Sequence, residues 1–436
     1  MKDITEYPSE NFFNLYFAYL DYPTNTEASL TCHRWCAISM LGTLLGRQFY
    51  LPFGATELIP NHYIQIVGLP AARKSTAIKA AIRVMAQFGY SDFSPKKTSI
   101  FQFLTALHNK TWGKEDPNDK EFNLDRSVWG TDEPAIVAES MEIAHMYIAV
   151  DEFITFIGRS NLDFIALLGD FWDIDKVHSE TYKSSAVHIN KPTINILAGN
   201  THEGFHNAFP PEIRGEGFFS RLLLIHAKGT GRKKTVPDAP TLAATNAMLN
   251  YMNRIKNEVI GRAVMTPEAY AIVDKSYHTW KDLEDSRFDS YSGRRFTYLL
   301  KLCLIMSAAR CSKEIHSCDA LMANTLLTFA EYNMPSAIGQ FGKGKNSEIA
   351  HKILSAISSS ASKGKIMTIV ELYKLLHSEV NKLTDINAMM MELLHTGKIQ
   401  SVKTDTLDGF LPVKHKVQMH DSELLRPSWL YEEEKI

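Results

Sequence analysis

The stretch YIQIVGLPAARKSTAIKAAIRVMAQF, residues 63–88, decides the fold of this chain. A continuous apolar run comes first, a short loop with glycine and proline follows, and an apolar pattern of helical period comes last. Phosphate-binding loops occur between a strand and a helix N-terminus, because backbone N–H groups and the helix dipole attract anions there. The stretch therefore predicts a P-loop nucleotide site inside an α/β core.

The loop GLPAARKST, residues 68–76, contains the candidate nucleotide ligands. Lys74 is expected to reach the β- and γ-phosphates of ATP, and the Ser75 hydroxyl is expected to bind Mg²⁺. Arg73 stands where such loops usually have a glycine that lets the backbone approach the phosphates closely, so either this loop is a modified one or the match is accidental. The position of the loop between a strand and a helix favours a modified loop. The residues predicted to contact the nucleotide are Gly68, Ala72, Arg73, Lys74, Ser75 and Thr76.

Apolar runs between residues 63 and 227 predict a parallel sheet. They read YIQIVG, MYIAVDE, TINILAGN and RLLLIHA, and helical patterns separate them. Nearly continuous apolar runs are typical of strands that are covered on both faces. Their alternation with helical patterns indicates a parallel α/β sheet with flanking helices.

Polar residues end two of these runs. Asp151 and Glu152 follow YIAV, where Asp151 is suited to hold Mg²⁺ and Glu152 to polarise the attacking water. Asn200 ends the run TINILAGN, where its amide is a candidate to position that water or to sense the γ-phosphate. A polar residue also ends a strand where an ordinary loop begins, and this alternative stays open for Asn200.

Arginines near the last run and in the helical region are candidate phosphate contacts. Arg221 precedes a buried strand, and an arginine placed there is costly unless it meets an anion. An arginine finger aimed at the γ-phosphate held by a neighbouring subunit would meet one. Arg214, in PPEIRGEG, is an alternative finger. Arg294 opens a helical pattern and is a candidate second phosphate sensor, although basic residues beside helices often only face solvent.

Length, composition and charge limit the classes of protein to which this chain can belong. The 436 residues are enough for two or three domains. Cys32, His33 and Cys36 have helical spacing, but no second ligand pair follows, which favours core packing over a metal site. The net charge of −2 means that DNA binding would need local basic patches. No membrane span or secretory signal is recognisable, so we expect a cytoplasmic protein, in the host cytoplasm if a phage encodes it.

The patterns along the chain predict five segments. Residues 1–60 form an N-terminal helical segment, 61–237 the P-loop ATPase core, 238–340 a helical lid, 341–418 a winged helix-turn-helix, and 419–436 an acidic, mobile tail. The winged helix is predicted because three helical patterns precede a strand, a turn and a second strand.

The function of the predicted winged helix stays open between DNA contact and protein docking. Between residues 343 and 416 there are eleven lysines against seven acidic residues, which favours contact with phosphates. Met389, Met390 and Met391 make much of the candidate recognition helix apolar, which favours packing over base reading.

As a set, these motifs resemble the motor module of MCM-type replicative helicases, which are AAA+ ATPases. VDEF at residues 150–153 is similar to the IDEF of that family, LAGNTH at 197–202 to LAAANP, and SRLLLI at 220–225 to SRFDLI. The family has alanine where Arg73 stands, so its loop also lacks the usual glycine. The resemblance therefore aligns the Mg²⁺ strand, the first sensor and the arginine finger with the residues named above.

The resemblance extends over roughly residues 61–416. The lid helix of the family opens R-x-L-E-x-x-I-R, and Arg294 and Lys301 keep this spacing although the acidic residue is missing. The chain is equally similar to phage and mobile-element ATPases classed as helicases or primase-helicases, whose GxPxxRKS loops carry the same arginine. Neither the zinc-bearing N-terminal barrel of cellular MCM proteins nor a primase domain is recognisable.

The resemblance implies an AAA+ core that binds ATP and Mg²⁺ and assembles into a homo-oligomeric ring, a hexamer in particular. Such a ring would move along single- or double-stranded DNA in phage or mobile-element replication, with other replication proteins as further partners and no membrane. MCM motors carry a DNA-gripping hairpin where this chain has residues 171–193. Lys176, Lys183 and Lys191 are the candidate DNA contacts there, and ordinary surface lysines are the alternative for each.

Two functions of different classes remain open at this point. The first is a DNA helicase or translocase, an enzyme that moves along a strand. The second is an ATP-switched replication initiator or helicase loader, which binds DNA without processive unwinding. A small-molecule phosphotransferase is a third, less favoured, because no motif resembles an acceptor site and the arginines suit an oligomer.

Overall fold

A computed structural model describes the chain as a mixed α/β protein. The described residues are 3–112, 142–182, 185–209, 213, 217–283, 285–339, 345–362, 364–376, 383–395, 398–403, 408–412 and 422–430. Within these ranges, no helix combines the length and the apolar character that crossing a bilayer requires. The chain divides into two compact units, one formed by Met1–Gly339 with His420–Ile436 and the other by Gln340–Met419.

The first unit contains most of the helices and strands of the described residues. Its helices are α1 (Phe12–Tyr19), α2 (Leu30–Leu45), α3 (Lys74–Gln87), α4 (Ile100–Trp112), α5 (Phe153–Ile157), α6 (Leu162–Asp170), α7 (His202–Ala208), α8 (Leu242–Glu258), α9 (Pro267–Thr279), α10 (Asp289–Ser292), α11 (Arg295–Ala309) and α12 (Ser317–Ile338). Its strands are β1 (Phe49–Phe53), β2 (Thr56–Leu58), β3 (Tyr63–Val67), β4 (His145–Val150), β5 (Val177–Tyr182), β6 (Ser185–Asn190), β7 (Thr193–Asn200), β8 (Leu222–His226), β9 (Gly261–Arg262), β10 (Val264–Met265) and β11 (Glu314–Ile315).

A four-stranded parallel sheet forms the core of this unit. The strand order is β4-β7-β3-β8, and each predicted apolar run is confirmed as one of these strands. Val67 at the end of β3 pairs with Asn200 on one side and with His226 on the other. Because the strands are parallel, their carboxyl ends meet at one edge, which is where α/β proteins bind their ligands. We call this the carboxyl edge and the opposite one the amino edge.

Helices pack on the sheet, as the apolar runs predict. Helices α2, α3, α5 and α7 contact β7, and α12 contacts the edge strand β8. The predicted N-terminal helical segment contains a helix that is enclosed on all sides. Helix α2 begins after the N-cap Ser29, and every residue in it except Thr31 is buried. It is surrounded by α1, α3, α11 and the sheet, so it has no polar face, and Cys32 and Cys36 lie in the core.

The predicted helical lid packs in the same compact unit as the core. Helix α12 lies against α9, α11 and β8, and buried ion pairs join these helices. Arg295 Nε lies 2.8 Å from Glu331 Oε1, and Arg310 Nη2 lies 2.7 Å from Asp319 Oδ2. Arg295 therefore has a structural partner inside the protein and is not a free basic residue at the helix start.

Part of the predicted acidic tail, residues 422–430, packs on the first unit, whereas the acidic run after residue 430 lies outside the described residues. Leu424, Leu425 and Leu430 are buried in the first unit. The Asn324 side chain donates a hydrogen bond to the Leu424 carbonyl at 3.0 Å. The acidic residues suggested a solvated tail, but the leucines between them supply enough apolar surface to hold the segment on α12.

The second unit has three helices followed by an antiparallel hairpin, which is the predicted order. The elements are α13 (Lys345–Ser362), α14 (Ile369–Leu376), α15 (Leu383–His395), β12 (Ile399–Lys403) and β13 (Asp408–Pro412).

The second unit has a hydrophobic core of its own, which includes residues from all three helices. Met389 and Met390 lie in this core, whereas the Met391 residue is 53% exposed. Two of the three methionines of α15 therefore pack in the core, and the third does not.

Candidate functional site

The phosphate loop connects the end of β3 to the start of α3, as predicted. Helix α3 begins at Lys74, and its N-cap is Arg73. Arg73 has a φ of 58° and Ala71 a φ of 66°, both in the left-handed region that favours glycine. The usual glycine is thus absent while its backbone conformation is kept. The Arg73 side chain extends away to Glu27, with Nε 2.5 Å from the carboxylate.

Two glycines let the strand ends and the loop approach one another. A Cβ at Gly68 would lie 2.4 Å from the carbonyl oxygen of Ala227, which follows β8. A Cβ at Gly199 would lie 2.4 Å from the carbonyl oxygen of Asp151 and 3.2 Å from Ile78 of α3. Any side chain at either position would clash with these neighbours. The two glycines therefore allow the strand ends, the loop and α3 to pack closely at the carboxyl edge.

Lys74 lies at the centre of the carboxyl edge. It is only 8% exposed, and its ammonium donates to the carbonyl oxygens of Gly68 and Leu69 at 2.9 and 2.8 Å. Burial lowers the pKa of Lys74, while Cys32 and Glu152 act in the opposite direction. The ammonium therefore folds back onto its own loop, and incoming phosphate oxygens would take over these contacts.

The paired carboxylates follow β4 at the same edge. Asp151 Oδ2 lies 3.2 Å from Lys79 Nζ, while its buried Oδ1 has no hydrogen-bond partner among the described residues. Glu152 is the N-cap of α5, but its side chain does not cap that helix. Glu152 follows β4 at the carboxyl ends of the strands, the edge at which the phosphate loop also begins, and its charge acts to raise the pKa of Lys74. Both carboxylates thus lie beside the loop, as the sequence predicts.

Asn200 joins β7 to the phosphate loop. Its carbonyl oxygen accepts a hydrogen bond from the Gly68 N–H at 3.2 Å, and its side-chain Nδ2 donates to Gln65 Oε1 at 2.7 Å. Asn200 is 1% exposed, yet its Oδ1 has no partner in the described part of the chain. A buried acceptor without a donor is costly unless a ligand or water supplies one. This favours the sensor interpretation over an ordinary loop residue.

The residues at this edge fit a nucleotide with Mg²⁺. Asp151 and the Ser75 hydroxyl are oxygen donors of the kind that Mg²⁺ prefers, and this ion usually takes its remaining ligands from water and phosphates. The unpaired Oδ1 atoms of Asp151 and Asn200 are acceptors for metal-bound or attacking water. Nowhere in the described ranges do three His, Cys, Asp or Glu side chains converge into an all-protein metal site.

A cavity of about 390 Å³ adjoins the phosphate loop. It is lined by Arg73, Thr76 and Arg83 from α3 and by Tyr19 and Glu27 from the N-terminal segment. Small-ligand sites typically have volumes of about 300–1,000 Å³. The cavity is large enough for a nucleoside and lies beside the first turn of α3.

Arg221 lies at the amino edge, away from the phosphate loop of its own chain. It precedes β8, whose first residue Leu222 pairs with Tyr63 at the start of β3. Its Nη1 donates to the Gly217 carbonyl at 2.6 Å, and its buried Nε has no partner among the described residues. Burial lowers the pKa of Arg221, and neighbouring Arg294 acts in the same direction.

Arg294 lies near Arg221 and not near Lys74. Its Nη1 lies 3.2 Å from Asp173 Oδ2, and Asp173 also raises the pKa of Arg221. The structure thus does not bring Arg294 to the candidate nucleotide site of its own chain. Arg294 would have to lie there to bind a nucleotide held by the same subunit. Arg294 is the N-cap of α11, so the start of this helix lies beside Asp173.

Lys301, which keeps the spacing of the second basic residue in the lid motif, is buried beneath this cluster. Its ammonium donates to Asn61 Oδ1 at 2.6 Å and lies 3.8 Å from the centroid of the Trp172 ring. Burial lowers its pKa to about 7. It supports the amino edge from inside the protein and does not face a ligand site.

The segment at residues 171–193 forms a β-hairpin of β5 and β6. Lys176 and Lys191 are exposed and flank the base of this hairpin. Lys183 lies outside the described residues, as does Arg214, the alternative finger. Two of the three candidate DNA contacts therefore lie at the base of the hairpin.

Sequence reasoning missed several side chains that surround the loop. Glu27 and Lys79 hold Arg73 and Asp151 through ion pairs, and neither position belongs to a recognisable motif. A single acidic or basic residue in a helical segment is an ordinary solvated residue in most proteins. Only the folded chain shows which of them contact the site.

Comparison with known proteins does not assign the chain to a family. No model of a protein family matches the chain, and the search of curated protein sequences finds no match either.

Proposed function

We propose that the chain is a P-loop ATPase of the AAA+ type. The observation that carries this proposal is the convergence of Lys74, the Asp151–Glu152 pair and Asn200 at the carboxyl edge. Lys74 begins the helix after β3, the Asp151–Glu152 pair follows β4, and Asn200 ends β7. The buried Oδ1 atoms of Asp151 and Asn200 have no hydrogen-bond partner among the described residues. A phosphate loop, a carboxylate pair and a polar sensor are the parts that phosphoryl transfer to water requires.

The nucleotide would lie along the first turn of α3. Its phosphates would contact the backbone N–H groups of the loop and the Lys74 ammonium, with the helix dipole in support. Thr76 faces the adjoining cavity of about 390 Å³, which would hold the ribose and base. Tyr19 and Arg83 line this cavity and can stack on a planar base.

The hydrolytic chemistry follows from the carboxyl edge. Mg²⁺, when bound, would neutralise charge on the phosphates. Ser75 and Asp151 would hold that ion, for which Asp151 must exchange its contact with Lys79. Glu152 would accept a proton from the attacking water, and Asn200 would orient that water through its unpaired Oδ1.

We infer that the active unit is a head-to-tail ring. Arg221 stands at the opposite edge from Lys74 and cannot reach the phosphates of its own chain. In a head-to-tail assembly, the amino-edge cluster of one subunit faces the carboxyl edge of the next, and closure gives a ring. Arg221 Nε, buried without a partner among the described residues, would then meet phosphate oxygens, with Arg294 beside it.

We propose that this motor acts on DNA as a helicase or translocase, a hexamer in particular. The β5–β6 hairpin is the candidate strand contact, since it follows the Mg²⁺ strand and precedes the sensor strand. The second unit is a further candidate, because the segment from residue 343 to residue 416 has an excess of four lysines over acidic residues. Phosphate contacts of this kind would weaken as salt rises.

The experiment that tests this function measures ATP hydrolysis and strand displacement by the purified full chain. We expect hydrolysis that single-stranded DNA stimulates and that Lys74→Ala abolishes. Lys97→Ala, which removes an exposed lysine outside the site, is the matched control and should keep the activity of the wild type. Hydrolysis with duplex binding and no displacement would instead identify an initiator or loader. Undiminished hydrolysis by Lys74→Ala would refute the nucleotide site.

A further inference from the structure

Two histidines stand beside the phosphate loop and have no part in the site described so far. His226 is the last residue of β8 and pairs with Val67, directly before Gly68. His202 is the first residue of α7 and follows Asn200 by two positions. The two rings are nearly parallel, with centroids 6.5 Å apart and planes inclined by 27°. Both side chains therefore belong to the carboxyl edge.

Each of these rings has a buried nitrogen with no hydrogen-bond partner in the described part of the chain. The atoms are Nε2 of His202 and Nδ1 of His226. The Oδ1 atoms of Asp151 and Asn200, along the same edge, are likewise buried without a hydrogen-bond partner among the described residues. Buried polar atoms without partners are rare in folded proteins, and a group of them indicates a ligand or ordered water.

The surroundings of His226 disfavour its protonated form and favour an anion. Burial lowers its pKa to about 4, and Lys228 and His202 act in the same direction. Helices α2 and α12 contribute only uncharged side chains to the cavity that His226 and Lys228 line: Thr31, Trp35, Leu326, Phe329, Ala330 and Asn333. The ring is therefore neutral at neutral pH without a ligand, and it faces a cation and no carboxylate in this cavity.

The same holds for His202 on the other side of the loop. Burial lowers its pKa, a backbone hydrogen bond to Ser336 of α12 acts against this, and His206 and Lys74 add to the lowering. His202 lies two residues after Asn200, whose carbonyl oxygen accepts a hydrogen bond from the Gly68 N–H of the phosphate loop at 3.2 Å. Glu203, the next residue and the one carboxylate of α7, is exposed.

We propose that His202 and His226 together bind the terminal phosphate of the nucleotide and take up a proton from solvent as it binds. This inference rests on the proposed nucleotide site. A nearby negative charge favours the protonated imidazole, and a protonated ring donates from both of its nitrogens. The unpaired nitrogens would thereby gain acceptors. The two histidines would bind the phosphate directly, and no covalent bond forms or breaks.

Calorimetry on the full chain tests this coupling without measuring hydrolysis. Binding of Mg²⁺–AMP-PNP, a non-hydrolysable triphosphate, is measured at about pH 7.5 in buffers of different ionisation enthalpy, because proton uptake makes the observed heat depend on the buffer. We expect net uptake with AMP-PNP and little with Mg²⁺–ADP. His202→Gln and His226→Gln should reduce the uptake and weaken AMP-PNP binding about tenfold, while ADP binding is unchanged. His278→Gln, at an exposed histidine of α9, should leave all of these values unchanged.

The possible results separate this inference from the nucleotide site. AMP-PNP binding whose heat does not depend on the buffer would overturn the inference and leave the nucleotide site intact. Uptake that persists undiminished in both glutamine variants would do the same. A wild-type chain that binds neither nucleotide would refute the nucleotide site and this inference with it.

Discussion

Arg221 and Lys74 lie at opposite edges of one parallel sheet. Leu222, next to Arg221, pairs with the first residue of β3, whereas the loop that leads to Lys74 begins after the last. At about 3.3 Å per residue, the length of β3 separates the two edges by roughly 13–16 Å. Both side chains can contact the same phosphate only if they come from different subunits. With Arg221 as the finger that we propose, its position requires an assembly of subunits such as a ring.

Glu152→Gln should separate nucleotide binding from hydrolysis. The glutamine keeps the size of the side chain but cannot accept the proton of the attacking water. Turnover should fall by about 10²–10⁴-fold, while the affinity for ATP stays within about twofold of the wild type. Glu203→Gln, at an exposed residue in the first turn of α7, is the matched control. Normal turnover by Glu152→Gln would exclude Glu152 as the base.

Lys79→Ala should increase the apparent affinity for Mg²⁺. Lys79 Nζ lies 3.2 Å from Asp151 Oδ2, so the ammonium competes with the metal for this carboxylate. The Lys79 side chain is 63% exposed, so the effect should be modest. The Mg²⁺ concentration for half-maximal hydrolysis should fall by about two- to fivefold. An unchanged or higher Mg²⁺ requirement would mean that Asp151 is not a metal ligand.

Replacing residues 340–419 by a short glycine-serine linker should leave the first unit folded and active as an ATPase. Removal of everything after Gly339 should be more damaging, because it also removes Leu424, Leu425 and Leu430 from the core. Each fully buried leucine contributes about 1.5–3 kcal/mol. Thermal unfolding and ATP hydrolysis of the two variants provide the comparison. Equal stability of both would show that the C-terminal segment does not support the first unit.

His33 should make the first unit less stable in mild acid. It is fully buried, and burial lowers its pKa from 6.5 to about 3. The unfolded chain therefore binds more protons than the folded one at pH below 6.5, so the stability due to neutral His33 is present above that pH and is lost as pH falls. Between about pH 7 and pH 5, the wild type should lose about 2 kcal/mol more than His33→Gln.

Urea unfolding followed by tryptophan fluorescence measures this difference, because all six tryptophans lie outside residues 340–419. Other titrating groups are common to both proteins, so the comparison isolates His33. Equal losses in the wild type and in His33→Gln would contradict the assignment of a neutral, buried ring.

The sheet and the phosphate loop could be predicted from the sequence because their signals are local. Strands buried on both faces appear as continuous apolar runs, and Lys74 follows a strand and begins a helix. The burial of α2 on all sides could not be predicted in the same way. Its sequence combines apolar residues with Thr, His and Arg, and only the tertiary contacts of His33 and Arg34 show that these polar residues are enclosed.

The site was predictable where a motif exists and not where the fold brings single residues together. Asp151 and Asn200 end apolar runs, whereas His202 and His226 are isolated histidines in sequence. The likeness of SRLLLI to a finger motif selected Arg221, but only the strand register shows that it lies away from its own phosphate loop. Register depends on pairing between distant segments, which no local pattern specifies.

The measurement that tests the shared site most directly mixes two inactive proteins, Arg221→Ala and Lys74→Ala. Loss of an arginine finger costs about 10³–10⁵-fold in turnover, so each variant alone should be nearly inactive. Mixed assemblies contain interfaces with an intact Lys74 on one side and an intact Arg221 on the other. Once subunit exchange has been verified with labelled chains, the mixture should recover part of the wild-type hydrolysis. A mixture that exchanges subunits and still shows no recovery would contradict a finger supplied by the neighbouring subunit.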